Sequence, residues 1–245
     1  MSAILDRVGE SGSVDVVDLA ETLGVSGATV RRDLQTLSGN QLLVRTHGGA
    51  VANQIGDELP TQVKATQRQQ EKKRIGKAAA ELISEGTVVG MTGGTTALEL
   101  ARAIAGRRGI TVVTNALDIA LELTGHSGIR LVVIGGIARR SLELVGPAAE
   151  AMLSNYHFNI AFIGVDGLTP DEGCTTYDEM EAQTDLAFLR RAQRSVVIAD
   201  SSKIGKVTFA KIAPLCDVSD VVTDRAADPV HLTALRAGGT HVITV

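Results

Sequence analysis

Two groups of residues have the types and spacing to do chemistry. The first is a set of polar elbows, each placed where a short Val- and Ile-rich run stops: Thr92-Gly93-Gly94-Thr95-Thr96, Asn115, Gly135-Gly136, Asp166-Gly167, Asp200-Ser201-Ser202-Lys203 and Asp224. In the opening elbow two glycines let backbone N–H groups approach a ligand closely. Two threonine hydroxyls add donors, and a helix begins at once. That arrangement suits a phosphate monoester or another small anion, to which Lys203 would add a point charge. Glu181, beside Asp178 and Glu179, can accept hydrogen bonds from sugar hydroxyls, although such a cluster also serves as the acidic first turn of a helix. No Lys-Ser/Thr pair follows the glycines, so this is not a P-loop, and no G-x-G-x-x-G follows a strand, which argues against a dinucleotide. A single glycine elbow is ordinary turn chemistry; the whole set describes a polar cleft.

The second group lies between Ser26 and Val51. Val30, Leu34 and Leu37 fall on one face of a helix, while Ala28, Arg32 and Gln35 fall opposite, flanked by Thr29 and Arg31. Small residues at the helix start allow close approach to base edges, and Thr29 and the arginines can reach phosphates or guanine O6 and N7. Upstream, Ile4, Leu5 and Val8 give a short helical stripe ended by Gly9 and Gly12. Asp15 is placed to cap a second helix bearing Val16, Leu19, Ala20 and Leu23. Gly24-Val25-Ser26 then makes a tight turn, with Gly24 left-handed and Ser26 capping the next helix. Two helices so joined form a helix-turn-helix. Leu42–Arg45, the turn Thr46-His47-Gly48-Gly49 and Ala50-Val51 follow as a short hairpin, or wing. A plain three-helix bundle with solvated arginines is the competing reading.

These residues need elements to position them, and 245 residues suffice for one large domain or a large one with a small companion. We expect residues 1–52 to form a winged helix-turn-helix, 53–74 a basic linker or helix, and 75–245 an α/β domain. From Ile75 onward strands at Thr87–Met91, Ile110–Thr114, Ile129–Ile134, Ile160–Val165, Ser195–Ala199, Val221–Thr223 and His241–Val245 alternate with helices at Ala97–Ile104, Asp118–Leu123, Ala148–Leu153 and Met180–Arg191. Such alternation indicates a largely parallel sheet, and ligands of open α/β sheets bind beyond the carboxyl ends of the strands.

Composition narrows the function further. Aromatic residues make up 2% and Trp is absent, so the core is aliphatic and base-stacking platforms are not expected. Cys174 and Cys216 cannot build a disulfide framework, and no Cys/His cluster has zinc spacing; no metal or cofactor is expected. Without a membrane-spanning run or a secretory signal, a soluble cytoplasmic protein is expected. The net charge of −4 is unevenly spread. Residues 1–52 carry four arginines against six carboxylates, whereas residues 64–77 carry six Lys/Arg against Glu71 alone. A polyanion would meet a local basic patch.

The run S-G-A-T-V-R-R-D-L from Ser26 to Leu34, followed by R-T-H-G-G-A from Arg45 to Ala50, resembles the winged helix-turn-helix of the DeoR family of bacterial transcription regulators. The runs T-G-G-T-T at Thr92, V-V-T-N at Val112–Asn115, I-G-G at Ile134–Gly136, G-V-D-G at Gly164–Gly167, G-C-T-T at Gly173–Thr176 and A-D-S-S-K at Ala199–Lys203 resemble that family's effector domain. The resemblance implies a fold similar to ribose-5-phosphate isomerase and the CoA transferases. It also implies a double-stranded operator as partner and a small phosphorylated sugar as effector. Carried over by position, DNA contacts would come from Ser26, Ala28, Thr29, Arg31, Arg32, Gln35, Arg45 and His47. The effector pocket would use Thr92, Gly93, Gly94, Thr95, Thr96, Asn115, Gly135, Gly136, Asp166, Glu181, Asp200 and Lys203. Many members of the family have an acidic residue where Thr92 stands.

Three functions compete: a ligand-responsive regulator, a sugar-phosphate isomerase with an appended DNA-binding domain, and a DNA-binding protein whose second domain only oligomerises. The isomerases carry a lysine where a loose alignment places Glu172, and an acidic side chain cannot stabilise a developing enolate. Binding without turnover is therefore favoured, no catalytic residue is expected, and a homodimer or homotetramer would supply the two-fold symmetry that operators use.

Overall fold

The computed structural model describes residues 2–39, 43–51 and 58–245. It divides into two compact units, Met1–Gln67 and Arg68–Val245. The division falls inside the stretch read as a connector.

The first unit opens with α1 (Ser2–Ser11), which buries Ile4, Leu5 and Val8. The helix runs through Gly9, where a stop was expected, and ends at Gly12, whose φ is 73°. A strand that the sequence reading missed, β1 (Ser13–Asp15), leads into α2 (Val16–Leu23). Asp15 caps α2 by accepting from the Val17 N–H at 2.7 Å. Gly24 adopts φ 64°, and Val25 N–H closes back on the Ala20 carbonyl at 3.1 Å, so the chain turns sharply. Helix α3 (Gly27–Gly39) starts where Ser26 Oγ accepts from Thr29 N–H at 3.1 Å, and it buries Val30, Leu34 and Leu37. Strands β2 (Val44–Arg45) and β3 (Gly49–Val51) pair antiparallel, with β1 on the other side of β3. Leu42 lies outside the described residues. Gly49 is required here: a Cβ would sit 1.9 Å from the Val14 carbonyl oxygen. Helix α4 (Thr61–Thr66) adds Val63 to the core formed by α1, α2 and α3.

The second unit runs α5 (Gln69–Ala80), β4 (Val88–Met91), α6 (Thr95–Ile104), β5 (Ile110–Thr114), α7 (Leu117–Leu123), β6 (Ile129–Val133), the short β7 (Ile137–Ala138) and β8 (Leu144–Val145), α8 (Pro147–Leu153), β9 (Phe158–Ile163), β10 (Gly167–Thr169), β11 (Gly173–Thr176), α9 (Glu179–Arg190), β12 (Ala192–Ile198), β13 (Ala210–Ala213), β14 (Asp220–Thr223), α10 (Pro229–Ala237) and β15 (His241–Thr244). Seven strands form one parallel sheet in the order β15-β14-β12-β9-β4-β5-β6. Along each central strand successive residues serve opposite cores. Val112, Ile160, Phe162, Val196 and Ile198 pack with α5, α6 and α7 on one side. Val113, Ala161, Ile163 and Val197 pack with α8, α9 and α10 on the other. Burial on both faces explains why these runs are apolar throughout.

Three features of this unit were not anticipated: α10, the β7–β8 hairpin, and a small antiparallel sheet ordered β10-β11-β13. Among the described residues no helix is long and apolar enough to cross a membrane. The chain passes from β4 outward to β5 and β6, then returns to β9 on the other flank of β4. The order reverses between β4 and β9, and a crevice opens at such a point beyond the carboxyl ends.

Candidate functional site

At the reversal, Thr92 N–H donates to the Phe162 carbonyl at 3.1 Å, and Gly164 N–H donates to Thr92 Oγ1 at 3.0 Å. The Thr92 side chain thereby ties β4 to β9. Gly93 and Gly164 are glycine because space is lacking: their Cβ atoms would lie 2.4 Å from Glu143 Cγ and 2.5 Å from the Gly93 carbonyl oxygen. Gly94, at φ 109°, opens α6 with no side-chain cap, and Thr95 and Thr96 form the first helical positions. Their backbone N–H groups and the positive end of the helix suit an anion.

Asn115, at the end of β5, is fully buried; its Nδ2 donates to Glu143 Oε2 at 3.1 Å and to the Leu144 carbonyl at 3.2 Å. Its Oδ1 has no partner among the described residues. Gly135 and Gly136 follow β6, and Gly136 runs against the backbone of Val145. They start the hairpin that brings Glu143 back to Ala116, where the two form a bridge. Their place in the site is thus to return Glu143 to Asn115.

A second cluster gathers at the ends of β9 and β12. Lys203 Nζ donates to Asp166 Oδ1 at 2.9 Å. Thr176 Oγ1 donates to Glu181 Oε1 at 2.7 Å and approaches Asp166 Oδ2 at 3.5 Å. Asp178 caps α9, accepting from Met180 and Glu181 N–H groups, so Glu181 begins the helix facing inward and is 5% exposed. Arg139 pairs with Glu181 and also lies 3.2 Å from Asp178. Asp200 is occupied differently: its Oδ1 accepts from Ser202 N–H and Oγ, and its Oδ2 lies 3.9 Å from the Lys72 ammonium. It shapes the turn that presents Lys203. Asp224 likewise accepts from Ser201 N–H at 2.6 Å.

Asp185 joins the two clusters. It is 2% exposed, and its Oδ1 has no partner among the described residues. Burial pushes its carboxyl well above the usual aspartate range, and Glu143, Glu181 and Asp166 push it further, with Arg139 opposing. The shift favours its protonated form, in which the carboxyl can donate a hydrogen bond.

Sequence reading missed Arg139, Glu143, Thr176 and Asp185. One signal was available. The buried stripe of α9 holds Glu181, Thr184 and Asp185 ahead of Phe188, which places polar residues at positions where a helix faces its core. Arg139 and Glu143 sit on a hairpin too short to leave a periodic pattern.

In the first unit, Ala28, Thr29, Arg31, Arg32 and Gln35 are all exposed on α3, opposite the buried Val30, Leu34 and Leu37. Arg45 on β2 and His47 in the wing turn are exposed as well. Ser26 and Thr29 share a hydroxyl hydrogen bond of 2.9 Å, so both serve the helix start as well as facing solvent.

Comparison with known proteins assigns both units. Residues 1–55 match the DeoR-like helix-turn-helix domain, and residues 67–225 match the DeoR C terminal sensor domain. The chain is 34% identical over 98% of its length to the HTH-type transcriptional regulator GlpR of Haloferax volcanii, covering 94% of that protein. It is 29% identical over 94% of its length to the glycerol-3-phosphate regulon repressor of Escherichia coli, covering 92% of it. Among solved structures, ribose-5-phosphate isomerase A of Methanocaldococcus jannaschii superposes with a TM-score of 0.42 at 20% identity, over 55% of this chain and 54% of that one.

Proposed function

The chain belongs to the DeoR family of transcription regulators, a DNA-binding family, and from that premise we propose that α3 and the wing grip an operator whose affinity is set by a phosphorylated sugar in the second unit. The observation that carries the proposal is the division of the side chains gathered beyond the carboxyl ends of the strands into two chemistries. The uncapped start of α6 at Thr95 and Thr96, with Lys203, offers donors and positive charge for a phosphate. The buried Glu143, Glu181 and Asp185, with Asn115 Oδ1, offer acceptors and one proton for hydroxyls. A relative of this chain is named for a glycerol-3-phosphate regulon, a ligand class that combines those two ends. A phosphate at Thr95 would compete with Asp166 for the Lys203 ammonium.

Sensing is favoured over turnover. An aldose–ketose isomerase needs a base free to take a carbon-bound proton and a cation beside the developing oxyanion. Both Glu181 oxygens are engaged, by Thr176 and by Arg139. Glu172, which the alignment sets against the isomerase lysine, sits in the β10–β11 connection beside Lys211. On DNA, one small helix-turn-helix makes few contacts, so two copies on a two-fold axis would bind two half-sites in the cytoplasm, and release on sugar binding is the expected response.

The test pairs calorimetry with DNA titration on the intact chain, after a thermal-shift screen of phosphorylated sugars. The double variant Lys203→Ala, Thr95→Ala loses the response to the hit while keeping ligand-free DNA binding. An unaltered sugar titration in that variant removes the phosphate from this pocket. Turnover of a sugar phosphate, lost in Glu181→Gln, would make the protein an enzyme instead.

A further inference from the structure

The chain enters the sensing unit at Arg68, and the backbone there is unusual. Arg68 has φ 49°, a left-handed conformation shared among described non-glycine residues only with Leu142. Such a conformation persists in an L-residue only where surrounding contacts hold it. The contacts are specific. Arg68 Nη1 donates to Ser201 Oγ at 3.0 Å, and its Nε lies 3.8 Å from Asp200 Oδ1. One helical turn on, Lys72 is 4% exposed with its ammonium 3.9 Å from Asp200 Oδ2. All of these contacts lie within the second unit.

The turn that Arg68 grips is the one that carries the phosphate cation. Ser201–Lys203 is a single 3-10 turn, and its last residue, Lys203, reaches Asp166 at 2.9 Å. One end of three residues faces the pocket, and the other holds the place where the DNA-binding unit's chain arrives. We infer that Arg68 is the positioning residue that converts occupancy of the pocket into a change of chain direction at the junction; this rests on the reading of that pocket as a phosphate-ester site. An anion at α6 draws the Lys203 ammonium from Asp166. In the proposed switch the backbone of the Ser201–Lys203 turn follows the Lys203 side chain, Ser201 moves with it, and the Arg68 guanidinium loses its hold. Unsupported, the left-handed residue relaxes to the right-handed region, and α5 begins earlier. Gln67 then leaves in a new direction. The element has two discrete arrangements, and ligand and DNA each favour one of them, which is what reciprocal coupling requires.

The experiment uses the full chain, a duplex it selects from a random-sequence pool, and ribose 5-phosphate and glycerol 3-phosphate as probes. Arg68→Gly keeps the left-handed backbone without penalty and deletes the guanidinium; Arg68→Lys restores a cation. In Arg68→Gly, ligand-free DNA affinity shifts by about tenfold, within the usual span of allosteric coupling. Calorimetry finds the probe bound more tightly, because the clamp it must open is gone, while DNA affinity no longer responds to the probe and Arg68→Lys recovers part of the response. A wild-type response retained in Arg68→Gly overturns the inference. Should wild-type protein bind neither probe, the phosphate-ester reading fails by itself, and the clamp is then decided by hydrogen exchange. Altered amide protection at residues 69–72 together with shifted DNA affinity in Arg68→Gly supports it; protection or affinity unchanged from wild type overturns it.

Discussion

Replacing Asp185 by asparagine should stabilise the sensing unit, and by more as the pH rises. Asp185 is 2% exposed, and its carboxyl is raised first by burial and then by Glu143, Glu181 and Asp166, against Arg139. In the unfolded chain the same carboxyl titrates near an ordinary aspartate value of about 3.9. Between that value and the raised one, the folded chain holds a proton that the unfolded chain has released. Unfolding free energy therefore falls with pH across this window, by up to about 1.4 kcal/mol per pH unit. The contribution is whole below the unfolded value and lost as pH climbs through the folded one. Asparagine keeps the shape and has no proton to lose, so two pH units wholly inside the window widen the gap between variant and wild type by about 2.7 kcal/mol. Urea unfolding at a series of pH values, followed by near-ultraviolet circular dichroism, reads this directly. The only two tyrosines, Tyr156 and Tyr177, lie in the sensing unit and Trp is absent, so the signal reports that unit alone. Parallel stability curves would refute the claim that the fold raises the Asp185 carboxyl.

Two further outcomes concern the DNA-binding unit. Arg32→Ala should cost about 1–3 kcal/mol of operator binding if the side chain reads a base; mobility shifts identical to wild type would remove Arg32 from the interface. Gly49→Ala should detach the wing from β1, because the new Cβ would meet the Val14 carbonyl oxygen at 1.9 Å. Overpacking of this kind costs roughly 1–3 kcal/mol. DNA binding should weaken while the tyrosine signal of the sensing unit is unmoved, and intact DNA affinity would show that the wing backbone accommodates the methyl.

The sequence made the regular parts of the fold readable because burial on one or both faces leaves a period. Val30, Leu34 and Leu37 gave α3, and the apolar runs Thr87–Met91, Ile110–Thr114 and Ile160–Val165 gave central strands of the sheet, the last of which runs from Phe158 to Ile163. Capping chemistry was equally legible: Asp15, Gly24 and Ser26 each do what their residue types favour. Short elements were not legible. Strand β1 has three residues and β7 and β8 two each, lengths at which alternation cannot be distinguished from chance. Their absence from the sequence reading also hid Glu143, which the β7–β8 hairpin alone brings to Asn115. The elbow residues were visible as a group, but their separate tasks required distances. Thr92 joins two strands, Asp200 forms a turn, and Lys203 reaches the carboxylate of Asp166.

In the proposed function one chain holds DNA with its first unit and answers to a phosphate ester through its second. Fluorescence anisotropy of a labelled operator duplex, titrated with the intact protein in the presence and absence of the phosphorylated sugar found by thermal shift, measures both at once. A saturable, salt-sensitive DNA isotherm that moves at least fivefold when the sugar is added is the predicted result, about the lower limit of typical coupling. A DNA isotherm that the bound sugar leaves in place would contradict it.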